Sequence, residues 1–427
     1  MRFFGVLLGT IGLLTVLGGA LAIATGFPGG KTSTTATVVE VPLGPTPTGE
    51  VADADEPPAT EPTDDGSTSS DETPADQPTD TSPEAPTGDG GIPPSPTPEA
   101  TADTSGSTQE TPTPPLFTAD INVQAPRMEL PTQPLMSVEA TYTEQHQFGK
   151  ITVAYRPGAY TAEYAAEVAA MAEEARVEAN SKIGTNWDHD FTVFLVDQLF
   201  AEDCVGCQGF TESDFRWIFM LDDGSLVRDE FEALLVHEMT HLIAGNEIHL
   251  PLEIIYVEGL ATWVMTEDLV NAGYVSPLQS TAWVYRAGAL PSLQELIDDD
   301  YAGRMRKRVY YDGAAAFAFY VIERYGFDRY VALYQQEPLE TVLGKPMHEI
   351  EAEFHAYLEP HADAVINGVD GPTWWNAASQ VIGAYIRFYE DPPALSADQY
   401  RLLTLARLAI NRADVNSALH YLAESGV

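Results

Sequence analysis

The residues best equipped for chemistry lie in one pentapeptide, His237-Glu238-Met239-Thr240-His241. On a helix, histidines four apart share one face about 6 Å apart, so both imidazoles can converge on one metal ion. Glu238, beside the first histidine, then faces a zinc-bound water and is placed to take its proton. Zinc lowers the pKa of such a water from about 15.7 to near 7. A catalytic zinc takes three protein ligands and keeps one position open. The third is expected to be Glu258, in Tyr256-Val257-Glu258-Gly259-Leu260-Ala261-Thr262. That segment reads as a second helix starting at Pro251, with Gly259 letting it approach the first closely. Glu247 and His249, directly after the first helix, are the rival ligands. A third-histidine pattern would need glycine at 244 and histidine at 247, and the chain has Ala244 and Glu247. Two surface histidines on an ordinary helix would fit poorly with the preceding run Leu234-Leu235-Val236, where unpaired histidines are costly.

The elements that must hold these residues follow from patterning. Asp229 and Glu232 read as a capping box opening the motif helix, which runs through Phe231, Leu234, Leu235 and Leu242 to Gly245. Upstream, Ile151–Tyr155 alternates and ends at Pro157-Gly158, a strand and a turn. Ala162 to Ile183 is Ala/Glu-rich at helical spacing and closes at Gly184. Phe191–Val196 and Phe215–Leu221 read as further strands, the second ending at Asp222-Asp223-Gly224. From there the pattern is helical almost to the end, with two short helices broken near Arg412-Ala413-Asp414. The expected class is α+β, a small N-terminal sheet followed by a mainly helical C-terminal half.

His237-Glu-Met-Thr-His241 followed by Glu258-Gly-Leu-Ala resembles the gluzincin zinc metallopeptidases, the thermolysin-like clan, and above all the small peptidase MA-like domains. The strand–helix–strand–strand order before the motif helix is similar to theirs. So are Tyr310-Tyr311-Asp312-Gly313-Ala314 running into Phe319–Gly326, and the closing Ile350–Leu358. The likeness covers about 148–360, half the chain. It implies a zincin-like domain with one catalytic Zn2+ on His237, His241 and Glu258, Glu238 as general base, and peptide bonds as substrate. In related aminopeptidases a tyrosine three residues before a glycine donates to the oxyanion, which gives that role to Tyr310, three before Gly313; a phenol suits it. In the resembled fold a strand such as Phe215–Leu221 edges the cleft and pairs with an extended substrate. Its Phe215, Trp217 and Phe219 alternate to one face, toward either the cleft or the core. The chain departs from the thermolysin pattern twice. The loop between His241 and Glu258 is shorter, and Thr262 stands where an aspartate would orient a zinc histidine.

Charge and composition bound the rest. The 427 residues carry 64 Asp+Glu against 21 Lys+Arg, a formal net charge of −43. Nothing in that balance offers the basic footprint that nucleic-acid binding requires. Residues 31–120 hold 17 of the 31 prolines, 18 acidic residues and a single aromatic, Phe117. Such a stretch buries too little apolar surface to offset its chain entropy, and is expected to be a disordered acidic Pro/Thr/Ser-rich linker. Ahead of it, an almost unbroken apolar run extends from Phe3 to Ala24. Roughly 20 apolar residues span a bilayer, against about 7–15 in a signal-peptide core, so residues 1–30 are expected to anchor the chain in a membrane. Ala20-Leu21-Ala22 and Ala22-Ile23-Ala24 fit small-x-small cleavage sites and keep a cleaved secretory signal as the alternative. Both place the bulk of the chain outside the cytoplasm. The expected division is 1–30 anchor or signal, 31–120 linker, 121–360 metallopeptidase domain and 361–427 C-terminal helical segment. Cys204-Val205-Gly206-Cys207 is expected to close a small loop disulfide. Arg304–Arg308, Asp298–Asp300 and the Glu349, Glu351, Glu353 series read as solvated, and Trp374-Trp375 as packing for the C-terminal helices. The expectation is thus an exported, membrane-anchored zinc metallopeptidase acting on a peptide or protein. A non-catalytic cell-surface binding module is the alternative, and hydrolysis of a non-peptide amide would use the same site.

Overall fold

The computed structural model describes residues 115–123, 141–196, 208–248, 253–298, 307–390 and 395–427, all within one compact unit. The expected anchor, the linker up to residue 114, Cys204 and Cys207, His249, Pro251, Asp299-Asp300 and Arg304–Arg306 lie outside the described residues. Among the described residues no helix is long and apolar enough to cross a membrane.

The alternating segments pair into one sheet: β1 (Glu144–Phe148), β2 (Ile151–Tyr155), β3 (Phe191–Val196), β4 (Gly209–Glu212) and β5 (Trp217–Leu221). Their spatial order is β1-β2-β3-β5-β4. β1 and β2 form an antiparallel hairpin turned at Gly149. Helix α1 (Ala162–Ile183) then carries the chain to β3, which runs parallel to β2. Thr161 caps its first turn by accepting from the Tyr164 N–H, and Gly184 ends it in the left-handed conformation that glycine adopts without a Cβ clash. β5 lies parallel to β3, and β4 closes the far edge antiparallel to β5.

Period-two alternation sorts the strand side chains between two faces. Val153, Val193, Leu195, Ile218 and Met220 join the main core under the helices. Ala154, Phe194, Val196 and Phe219 meet Tyr142 in a small cluster on the other face. Two expectations are corrected here. The strand read as Phe215–Leu221 begins at Trp217 and is interior to the sheet; the edge strand on its side is β4, which the sequence reading missed. Trp217 and Phe219 pack on Phe194 at 5.3 and 4.9 Å in the far-face cluster, while Phe215 lies in the preceding turn, exposed and stacked on Trp217.

The rest is helical: α2 (Arg228–Glu247), α3 (Ile254–Asn271), α4 (Pro277–Arg286), α5 (Leu293–Ile297), α6 (Lys307–Tyr325), α7 (Phe327–Tyr334), α8 (Leu339–Leu343), α9 (Met347–Ala362), α10 (Gly371–Glu390), α11 (Ala397–Asn411) and α12 (Val415–Ser425). The α+β class, with a small sheet ahead of a helical half, is as expected. The motif helix α2 begins differently, since its N-cap is Val227, with no side-chain cap. Asp229 and Glu232 lie inside the helix, where Glu232 accepts from Arg228, so they form no capping box. α2 also runs past Gly245 to Glu247, and α3 starts at Ile254 rather than Pro251. Gly259 faces α6 instead of α2. A Cβ there would sit 2.7 Å from the Ala314 carbonyl oxygen and 2.7 Å from the Tyr330 hydroxyl, so the glycine sets the close approach of α3 and α6.

α10, α11 and α12 build a second apolar cluster that α4 shares through Trp283 and Val284. Trp374 packs as expected, 1% exposed, with its indole N–H donating to the Ile410 carbonyl at 2.9 Å. Residues 115–123, the first six of which the sequence groups with the linker, pack on this layer. The Phe117 N–H donates to Ser417 Oγ at 2.8 Å, Tyr421 donates back to the Phe117 carbonyl, and the Arg412 guanidinium lies over both the Phe117 and Tyr274 rings. The acidic face of α9 is not merely solvated. Glu351 accepts from the Leu293 N–H and Glu353 from Lys345, Tyr320 and Tyr325.

Candidate metal centre

The pentapeptide sits mid-way along α2, with α3 crossing beside it and the edge strand β4 alongside. Helical spacing puts His237 and His241 on one face, and their rings lie 4.6 Å apart. Glu258, in the second turn of α3, turns its carboxylate onto both. The three candidate ligand atoms are separated by 3.0 Å (His237 Nε2 to His241 Nε2), 3.2 Å (His237 Nε2 to Glu258 Oε2) and 3.4 Å (His241 Nε2 to Glu258 Oε2). Bonds of about 2.0–2.1 Å to a tetrahedral zinc place neighbouring ligand atoms roughly 3.3 Å apart, so this triangle has the size of one tetrahedral face. Among the described residues it is the one group of three His, Cys, Asp or Glu side chains close enough to share a metal ion, and no fourth protein ligand joins it. The rival Glu247 is exposed at the end of α2 and outside the group.

The three groups of the triangle are electrostatically coupled. Burial raises the Glu258 carboxyl, but the His241 charge and hydrogen bonds from both imidazoles outweigh it and hold the group well below the usual carboxylate range. Burial likewise works against a charged His241, and Glu258 overrides it. Behind the ligands, Thr262 answers part of the open question about the missing aspartate: its Oγ1 lies 3.5 Å from His237 Nδ1. His241 Nδ1 is buried with no hydrogen-bond partner.

Glu238, about 100° around α2 from His237, reaches toward β4. The Thr211 hydroxyl donates to its Oε2 at 2.7 Å. Gly209 is where the strand comes nearest, since a Cβ there would meet Glu238 Cδ and Cγ at 2.8 Å. β4 thus holds the carboxylate that the sequence names as base. Burial is the main influence on it and raises its pKa, with both histidines and Thr211 pulling the other way.

The two tyrosines of the Tyr310-Tyr311 pair are placed differently. Tyr310 is 4% exposed and packs in the main core. Tyr311 lines the cavity beside the triad, its ring centroid 6.1 Å from that of His237. Burial, then Glu258 and Glu238, push its pKa well above the ordinary value, which keeps it a donor. The cavity itself holds about 240 Å³, with His237, Glu238, Thr262 and Tyr311 at one end. Around Glu238 and the triad the structure thus adds Thr211, Gly209 and Tyr311, which the sequence did not single out. The tyrosine was legible as half of a Tyr-Tyr pair, whereas the two β4 residues carry no local signal of their role.

No protein-family model matches the chain, and no curated protein matches it.

Proposed function

We propose that the chain is a gluzincin-type zinc metallopeptidase on a zincin-like scaffold, exported and anchored by its N-terminal segment, and acting on peptide or protein substrates outside the cytoplasm. The observation that carries this reading is the triangle of His237, His241 and Glu258 with a second, separately held carboxylate, Glu238, next to it. A scaffold that only binds a partner has no need of that second carboxylate. The likeness of His237–His241 and Glu258–Ala261 to the thermolysin-like clan supports the same reading.

Bound at the triad, a zinc ion supplies Lewis acidity, polarising the scissile carbonyl and bringing the pKa of water toward about 7. Glu238, its Oε2 fixed by Thr211, takes the proton of the attacking water and passes it to the leaving nitrogen. Tyr311 donates its phenolic hydrogen to the carbonyl oxygen as negative charge grows there. Thr262 orients His237 by accepting from Nδ1. β4, as the sheet's edge, offers its outer main-chain groups to an extended peptide.

Zinc content and cleavage of a peptide library test this on the purified full chain. The expected result is about one zinc per chain in the wild type and in Glu238→Gln, and none in His237→Ala. Turnover in Glu238→Gln is expected to fall roughly a thousandfold. A well-folded wild type without metal, or unchanged turnover in Glu238→Gln, overturns the reading.

A further inference from the structure

The cavity beside the triad extends past the catalytic residues, following α2 back from Glu238 to Glu230. Tyr274, Arg407 and Asn411 form its far wall, and the last two belong to α11, outside the stretch that resembles the gluzincins. Two bonds join Arg407 to Glu230, at 2.7 and 2.8 Å, and a third runs to the Ser225 carbonyl at 2.9 Å. The Tyr274 hydroxyl lies against Glu230, and the Val275 N–H donates to the Asn411 carbonyl at 2.7 Å. The far wall is thus paired within itself. What braces it lies on its outer side.

Residues 115–123 belong to no helix or strand, yet from Leu116 onward their exposure alternates. Leu116, Thr118, Asp120 and Asn122 are exposed, while Phe117, Ala119 and Ile121 pack on the α10–α12 layer. Val123 is buried beside Leu395, Tyr400 and Leu403. Period-two alternation is how an extended chain lies on a surface that takes every second side chain. Both main-chain polar groups of Phe117 are met by side chains of α12, Ser417 and Tyr421, one helical turn apart.

Each end of this strap bears on a support of the far wall. At the first, the Arg412 guanidinium lies over two rings, Phe117 at 5.1 Å and Tyr274 at 4.0 Å, so the strap and the cavity wall share one cation. At the second, the Asn122 carbonyl sits so close to Gly224 that a Cβ there would collide with it. Gly224 adjoins Ser225, whose carbonyl holds Arg407, and Asp223, which accepts from Tyr400 of α11 at 3.2 Å.

We propose that residues 115–123 are a clamp that keeps the far wall of the cavity in place, so that substrate binding depends on the strap being docked. The clamp itself stands without the peptidase reading; its effect on substrate rests on that reading. None of the bonds just named touches the triad. Release of the strap therefore loosens substrate binding and leaves the metal centre intact.

The test compares the full chain with Phe117→Ala and with the double variant Phe117→Ala/Ile121→Asp, which also carries a charge into the apolar layer. Amide exchange followed by mass spectrometry reads the strap, Val275, α11 and, as a reference, β3. In the double variant exchange is expected to quicken at least roughly tenfold at 115–123, at Val275 and along α11, with β3 unchanged. A synthetic peptide of residues 115–123, added in trans, is expected to restore slow exchange at Val275 and α11. Zinc content stays at the wild-type value, while KM for a peptide substrate rises roughly fivefold or more and kcat changes by less than about twofold. A freed strap with Val275 and α11 exchanging as in wild type overturns the proposal. So does a strap that stays protected in the double variant, or a loosened wall that leaves KM unchanged. If the double variant does not fold, Phe117→Ala carries the same comparison. If the wild type turns over no peptide, exchange alone decides the clamp, and the peptidase reading falls separately.

Discussion

Glu238 is buried and Glu258 half-buried, yet desolvation decides the direction of only the first. Two imidazoles hold Glu258 as an anion suited to a metal, whereas Glu238 has one hydroxyl, that of Thr211, to fix its orientation. Thr211→Val is therefore expected to lower kcat roughly tenfold with zinc content unchanged, because it removes a positioning bond and no ligand. Steady-state kinetics beside metal analysis checks this, and an unchanged kcat would count against Thr211 as the residue that orients the base. His237 and His241 were readable because helix geometry ties positions four apart to one face, and Glu238 and Glu258 through the motifs that hold them. The choice between Tyr310 and Tyr311 was not. Consecutive helical residues point about 100° apart, and the rotation of α6 is set by its packing against α3, a contact that no local pattern encodes.

That packing depends on α3 presenting a glycine to α6. Gly259→Ala forces a methyl to within 2.7 Å of a backbone carbonyl, and is expected to cost about 1–3 kcal/mol. Gly313→Ala, on α6 itself, meets the Leu296 methyls at 3.5 Å and a Leu290 methyl at 3.8 Å, ordinary contacts, and should stabilise by about 0.5–1 kcal/mol, since alanine is the better helix former. Thermal midpoints of the two variants are expected to move in opposite directions. A second element-level device is Asp222, which follows β5 and accepts from Tyr164 of α1 at 2.8 Å. Burial raises its pKa, so the folded chain keeps this proton at a pH where the unfolded chain, near 3.9, has lost it. The stability it contributes is complete below that unfolded value and is lost as pH rises through the folded one. Asp222→Asn removes this penalty, and its melting point relative to wild type is expected to be higher at pH 7 than at pH 4. The long strands and helices were legible from periodicity. β1 and β4 were not, because β1 is largely polar and β4 is four residues long, and both are strands by virtue of the partners beside them.

At the scale of the whole molecule, the C-terminal helices are tied to the motif helix by a buried ion pair 177 residues apart in sequence, Arg407 with Glu230. Arg407→Ala leaves a buried carboxylate alone and is expected to cost about 3–5 kcal/mol, read from denaturant unfolding. Replacing both residues with methionine should recover most of that loss. No sequence pattern announces the pair, and the boundary drawn at residue 360 gave no hint that α11 reaches the cavity. The docking of Phe117 spans a greater distance still, with partners 300 and 304 residues downstream. Chains are made at about 5–20 residues per second, so Phe117 emerges roughly 15–60 s before Ser417 and Tyr421 exist to receive it. Arg407 is synthesised only shortly before them. The far wall of the cavity is thus made well after the histidine motif, and a nascent chain that already carries the complete motif lacks that wall until Arg407 and Asn411 have been added.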